Sequence, residues 1–328
     1  MTHSVDVARA AAWLARGGLV AFPTETVYGL GADASQPQAV AKVFAVKGRP
    51  TSHPLIVHLA TVEGLARWAR TIPPFAQRLA DVLMPGPLTL ILPRAAHVSD
   101  AVTGGRDTVG LRVPAHPMAR ALIEALETLR PSADAGPCAG LAAPSANRFG
   151  SVSPTTAAHV HEDLAGEDVA VLDGGPCEVG LESTIVDCAS DGGPAILRVG
   201  GVPRETIEDV LGASVPLATE GPSRAPGMMA AHYAPRARVV VATEPVFVDE
   251  VARAMATGRR VASLGPPTGL GVAIERVTPA DPREHARSLY ATLRALDAEG
   301  AEIIVVALPP AHGLGLAIAD RLTRASRA

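Results

Sequence analysis

At 328 residues, 48% of them hydrophobic, the chain is long enough for two domains with substantial cores. A net charge of −4 and only 3% aromatic residues argue against a general nucleic-acid binder, so any polyanion contact must be local. The three cysteines, Cys138, Cys177 and Cys188, show no CxxC or Cys/His ligand spacing and suggest neither a disulfide framework nor a zinc knuckle.

Taken in order, residues 4–16 read as an amphipathic helix capped by Ser4 and ended by Gly17-Gly18. There is no basic n-region with a long apolar core, so no signal peptide is expected. A strand at residues 19–22 meets Pro23 and breaks into the hydroxyls Thr24, Thr26 and Tyr28, followed by a Gly29-x-Gly31 turn. A helix over 37–46 should end on Lys47-Gly48-Arg49-Pro50, where glycine permits a left-handed cap and proline forbids continuation. Strands are expected at 54–59, 88–92, 108–114, 141–143, 169–172, 183–187 and 195–199. Helices are expected at 62–83 (broken at Pro73-Pro74), 117–129, 155–164 and 203–211. Residues 131–140 read as a flexible insertion, and His159-Val-His161 as the start of a surface helix rather than a metal pair.

This pattern divides the chain into an α/β domain over 1–211, a Pro/Gly/Ala/Ser-rich linker over 212–237, and a second domain over 238–328. In the last, strands at 239–242, 260–264 and 303–307 alternate with helices at 247–256, 285–298 and 316–325, which predicts a small Rossmann-like three-layer α/β unit with a parallel sheet. The apolar runs at 88–92 and 303–308 are far too short to span a bilayer, so a cytoplasmic protein with no membrane contact is expected.

Chemistry concentrates in the first domain. No acidic residue occurs between Ala34 and Val62, whereas Lys42, Lys47 and Arg49 do, with His53 and His58 close by. Of 29 basic residues only Lys42 and Lys47 are lysines, and Asn147 is the single asparagine. An acid-free segment with fixed cations and loop hydroxyls suits phosphate. Gly29-Leu-Gly31-Ala-Asp-Ala34 matches a loose dinucleotide fingerprint, but a proline and three hydroxyl side chains separate it from its strand and no ribose-binding acid follows; it is rejected. No P-loop occurs. Instead, short polar clusters recur at strand ends: Thr108 with Arg112, Ser145 with Asn147 and Ser153, and Ser183-Thr184 with Arg198. Such groups would build a cleft for phosphate and carboxylate, since arginine matches both bidentately.

The motifs FPTETVYGLG, KGRPTSHPLIVH, TVGLRVP, APSANRFGSVSPT, LESTIVD and ILRVG, in this order over roughly residues 5–211, resemble the YrdC-like domain of threonylcarbamoyl-AMP synthases. Pro226-Gly-Met and His232-Tyr233-Ala-Pro235, followed by a small α/β domain, are similar to the long two-domain form of that enzyme. The resemblance implies a mixed twisted sheet with helices, and a reaction in which L-threonine, bicarbonate and ATP with Mg²⁺ give threonylcarbamoyl-adenylate and pyrophosphate. It implies transfer of the product by a tRNA threonylcarbamoyl transferase complex, with no stable nucleic-acid binding by this chain and no organic cofactor. It assigns Thr26, Tyr28, His58, Arg112, Ser183 and Thr184 to threonine, with Arg112 on its carboxylate. Lys47 and Arg49 become the catalytic cations on ATP phosphates, joined by His53. Thr108, Ser145, Asn147, Ser153 and Arg198 become nucleotide contacts, and Tyr233 closes over the site. Alternatives are an RNA-binding module using the cleft and a carbamoyl-handling relative with another substrate.

Overall fold

A computed structural model describes residues 2–130, 139–219 and 232–327. Cys138, most of the expected 131–140 insertion, and the Pro226-Gly-Met part of the linker lie outside the described residues. A ten-stranded mixed sheet forms the first domain. Across it run His3–Ser4, Val169–Val171, Leu19–Phe22, Gly29–Asp33, Leu141–Ala142, Ile56–His58, Thr108–Arg112, Leu88–Pro93, Thr184–Asp187 and Ala195–Arg198. Parallel and antiparallel pairs alternate irregularly, so consecutive strands are often separated in space and the loops between them converge over the middle of the sheet.

Two local expectations are corrected. Ser4 does not cap the first helix; it lies in a short edge strand paired with Val171, and the helix Val7–Ala15 is capped by Asp6, whose carboxylate accepts from the Arg9 N–H at 2.8 Å. Gly29 and Gly31 are not a turn but part of an antiparallel strand against Leu19–Phe22. Glycine is needed there because the Phe22 ring lies across the strand: a Cβ on Gly31 would sit 2.8 Å from it. The helix Pro37–Lys47 ends as expected on a left-handed Gly48.

The second domain has a four-stranded, wholly parallel sheet in the order Arg238–Ala242, Ile303–Ala307, Val261–Gly265, Ile274–Val277. Its last strand, absent from the sequence reading, is an edge strand with three of four residues exposed, so no buried alternation marks it. The helices Glu244–Met255 and Pro282–Ala298 start three residues earlier than expected because Pro245 and Pro282 occupy their first turns, where a proline costs no hydrogen bond. Glu244–Met255 packs Phe247 and Val251 on one face of the sheet against Ile303 and Val305. Pro282–Ala298 and Leu314–Ala325 cover the other face, over Ile304 and Val306, in an apolar cluster that continues without a break into the first domain. The layered architecture matches expectation.

Candidate active site

Where the loops of the first sheet converge there is a pocket whose walls are Thr24, Thr26, Arg49, His58, Arg112, Ser145, Ser183 and Arg198, with Glu182, His232 and Tyr233 closing it. Its floor is set by the turn after Leu19–Phe22. Pro23 stops the strand, and Thr24 Oγ1 accepts from the Thr26 and Val27 N–H groups at 3.2 Å while donating to the Val27 carbonyl at 2.6 Å. The turn presents Thr26 to Arg112, whose Nη2 donates to Thr26 Oγ1 at 2.9 Å and to Glu25 Oε1 at 2.7 Å. Glu25 also accepts from the Ala115 N–H at 3.0 Å, so both its oxygens are engaged. Arg112 Nε has no hydrogen-bond partner among the described residues.

His58 faces Arg112 across neighbouring parallel strands, as its register partner. Burial, reinforced by the Arg112 charge, pushes its imidazole pKa down to about 3, and His232 is depressed to about 3 chiefly by burial. Both are therefore neutral at physiological pH. In the unfolded chain each would take up a proton near pH 6.5, so folded stability should fall as pH drops from 6.5 toward 3, by up to about 1.4 kcal/mol per unit for each ring. Chemical unfolding of wild type and His58→Gln between pH 7 and 4 measures this; equal pH slopes for the two proteins would refute it.

The far wall belongs to two basic groups, Arg198 and Arg49, with Lys47 behind it. Arg198 Nε and Nη2 both reach Ser183, at its carbonyl and hydroxyl, each at 3.0 Å, and Thr89 Oγ1 lies 2.8 Å from the same hydroxyl. Arg49 donates to the Pro54 carbonyl at 3.1 Å and lies over the Phe149 ring, and burial lowers its pKa to about 10. Lys47 differs from expectation. Only 3% exposed, it does not line the pocket; its ammonium is turned onto the carbonyls of Ser145 (2.6 Å) and Asn147. Burial, with Arg49 nearby, drives its pKa well below the usual lysine value. Its geometric effect is to fasten the 145–147 loop, in which Asn147 Oδ1 accepts from the Ser145 hydroxyl and Asn147 Nδ2 donates to the carbonyls of Arg148 and Ser151.

The structure thus brings Thr26, Arg49, His58, Arg112, Ser145, Ser183, Arg198 and Tyr233 together in one pocket. It places the other sequence candidates elsewhere. The Tyr28 hydroxyl donates to the Gly175 carbonyl at 2.8 Å and accepts from the Gly174 N–H, tying down the 173–175 turn. Thr184 Oγ1 donates to the Val202 carbonyl at 2.6 Å. His53 sits behind Phe149, ring centroids 5.8 Å apart. Thr108 stands at the opposite end of the strand from Arg112, roughly 13 Å away at a strand's rise per residue. Ser153 lies behind the wall and donates to Glu182 at 2.6 Å.

Glu25 and Glu182 escaped the sequence reading. Glu25 is flanked by two hydroxyls already singled out, and an acid between them was the available signal. Glu182 had none. Only 6% exposed, its carboxylate accepts from Ser153 and from two side chains of the second domain, Tyr290 (2.8 Å) and Arg321 (2.7 Å). Burial alone would raise its pKa, but the Arg321 and Arg198 charges outweigh that and hold it down at about 2. Arg321 also lies over the Tyr233 ring at 5.0 Å, and the Tyr290 ring stacks on Tyr233 with centroids 6.0 Å apart. Tyr233 itself adopts a left-handed φ of 65°, unique among described non-glycine residues.

Comparison with known proteins shows the family and the fold. Residues 12–200 match the Sua5/YciO/YrdC family, described as telomere recombination, and residues 202–327 match the threonylcarbamoyl-AMP synthase C-terminal domain. The threonylcarbamoyl-AMP synthase of Pyrococcus abyssi is 43% identical over 97% of this chain and 93% of its own length. That of Bacillus subtilis is 40% identical over 99% and 94%. The crystal structure of P. abyssi Sua5 complexed with L-threonine superposes with a TM-score of 0.90 at 38% identity, covering 100% of this chain and 98% of the other. With both domains matched in order and relatives aligned nearly end to end, the chain belongs to the threonylcarbamoyl-AMP synthase family.

Proposed function

We propose that this pocket joins L-threonine, bicarbonate and ATP into threonylcarbamoyl-adenylate, releasing pyrophosphate. The observation that carries the reading is the set of three guanidiniums, Arg49, Arg112 and Arg198, around one enclosed space with hydroxyls between them. Arg112 is held from one side by Glu25 and Thr26, which leaves the rest of its fork to meet a carboxylate; that the P. abyssi relative forms a complex with L-threonine supports the amino acid as a substrate. Arg49, Ser145 and Arg198 then face the phosphates.

The chemistry asks little of the protein beyond position and charge. Bicarbonate splits into carbon dioxide and hydroxide; the uncharged threonine amine attacks the carbon dioxide, and the proton that leaves the nitrogen combines with the hydroxide as water. A carbamate oxygen next attacks the α-phosphorus, and the β,γ-pyrophosphate departs. No covalent enzyme intermediate is required, and fixed cations that spread the phosphate charge suffice. His58 is too weak a base at about 3 to take the amine proton, so it serves as a neutral hydrogen-bonding group. Mg²⁺ would arrive as the counter-ion of ATP. Glu25 and Glu182 are fully engaged by other groups, and no cluster of metal-binding side chains occurs among the described residues, so the protein's donor set does not fit a resident metal.

The product would pass to a tRNA threonylcarbamoyl transferase complex in the cytoplasm. No helix among the described residues is long and apolar enough to cross a membrane. Pyrophosphate release, measured with one substrate omitted at a time, tests the reading: it should require threonine, bicarbonate and ATP together. Release independent of threonine, or a preference for another amino acid, would overturn it.

A further inference from the structure

The second domain reaches the wall of the pocket through one face of the helix Pro282–Ala298. Positions 287, 290 and 294 follow one another at three- and four-residue spacing, so they lie on one side of it. Gly180 meets the helix backbone at the first of them: its φ is left-handed at 75°, and a Cβ there would sit 2.5 Å from the Arg287 Cα. The second is Tyr290, whose hydroxyl donates to Glu182 in the pocket wall at 2.8 Å. The third is Arg294.

Arg294 divides its guanidinium between two partners in the first domain. Nη1 donates to Asp163 Oδ1 at 3.0 Å and Nη2 to Asp163 Oδ2, while Nη2 also donates to the Val152 carbonyl. Asp163 closes the helix Ala157–Asp163, where a carboxylate meets the negative end of the helix and a paired cation offsets the repulsion. That ion pair alone would dock the two domains. The bond to Val152 does something else, because three residues of the pocket hang from the segment 150–153. The Ser145 hydroxyl donates to Asn147, whose Nδ2 donates to the Ser151 carbonyl at 2.8 Å. Glu182 accepts from the Ser153 hydroxyl at 2.6 Å. Tyr233 precedes Ala234, whose N–H donates to the Gly150 carbonyl at 3.0 Å. An isolated bridge from Ser151 to Ala234 is the segment's sheet pairing among the described residues, so single bonds of this kind set its position.

We propose that Arg294 is a positioning residue for the reaction: by holding the Val152 carbonyl it fixes the segment 150–153, and through it the Ser145, Glu182 and Tyr233 side of the pocket. The inference rests on the reading that ATP phosphates occupy the side to which Ser145 belongs. Arg112 and Thr26, on the threonine side, are held by Glu25 and by the turn at Thr24, so loss of Arg294 should fall on ATP and spare threonine. Arginine is required because one planar group makes all three bonds; a lysine ammonium follows the carboxylate and releases the carbonyl.

Two variants of the full chain separate the two contacts. Arg294→Lys keeps an ion pair with Asp163 and gives up Val152, so the apparent KM for ATP should rise about tenfold while that for threonine stays within about twofold of wild type. Asp163→Asn gives up the ion pair and keeps the Val152 bond, so it should lower Tm and leave both KM values within about twofold. An interface residue with a purely structural role would lower Tm in both variants and move neither KM. Calorimetric titration with ATP in the absence of threonine should show the same weakening in Arg294→Lys, whether or not pyrophosphate forms. Wild type that binds ATP yet releases no pyrophosphate overturns the reaction alone, and the titration then decides this inference; wild type that does not bind ATP overturns both. An ATP affinity unchanged in Arg294→Lys overturns the role of Arg294, as does a threonine KM that rises in step. If Arg294→Lys does not fold, Asp163→Asn decides, and a raised ATP KM there overturns it.

Discussion

Replacing Arg321 with methionine should destabilise the protein by about 3–5 kcal/mol and cut pyrophosphate release at least tenfold, although Arg321 sits in the second domain and lines no part of the pocket. The side chain is 1% exposed and touches four things at once: the Glu182 carboxylate, the neighbouring Asp320 carboxylate, the Val199 carbonyl at 2.9 Å and the Tyr233 ring. Without it Glu182 is a buried charge left, among the described residues, with the hydroxyls of Ser153 and Tyr290 as hydrogen-bond donors and Arg198 as the nearby positive charge. Water cannot replace the guanidinium there, which is why breaking a buried pair costs far more than a surface one. The double variant Arg321→Met/Glu182→Gln removes both charges and should regain part of the loss. Urea unfolding of the single and double variants checks this; a single variant within 1 kcal/mol of wild type would sink the argument. The pair also has a pH signature. The folded carboxylate titrates at about 2 and an unfolded one near 4.3, so its contribution is complete above pH 5 and disappears as pH falls from about 4 toward 2.

The second large effect is expected at Arg112. Arg112→Lys keeps a positive charge but not a planar fork, and one ammonium cannot satisfy Glu25 and Thr26 and still meet a carboxylate. The apparent KM for threonine should rise by roughly thirtyfold or more, corresponding to about 2 kcal/mol, while KM for ATP changes much less. Steady-state pyrophosphate release against threonine concentration measures it. An unchanged KM for threonine would remove Arg112 from the amino-acid site.

How much of this was readable beforehand depended on how local the cause was. The strand-end clusters of hydroxyl and arginine were visible because each is local in the chain, Ser183 and Arg198 being the widest at 15 residues apart, and Arg112, Ser145, Ser183 and Arg198 do meet in one pocket. Three strands of the parallel second sheet were visible because they are mainly apolar runs, whereas the exposed edge strand was not. Lys47 was misjudged in orientation. Its position at a helix end next to Arg49 suggested an open cation, whereas the carbonyls that capture it come from 98 and 100 residues away. Glu182 was unreadable for the same reason, its partners Tyr290 and Arg321 standing 108 and 139 residues further on. Gly29 and Gly31 looked like a turn because glycine usually marks one; here the demand came from an aromatic ring lying over a strand.

Tyr233 carries one more implication. A bulky residue in the left-handed region costs on the order of 1–3 kcal/mol, and this one persists because Arg321 and Tyr290 grip its ring. Replacing it by glycine would relieve that backbone strain but empty a buried aromatic site, a loss of about 3–5 kcal/mol, so selection for heat tolerance should keep the ring and tolerate the strain.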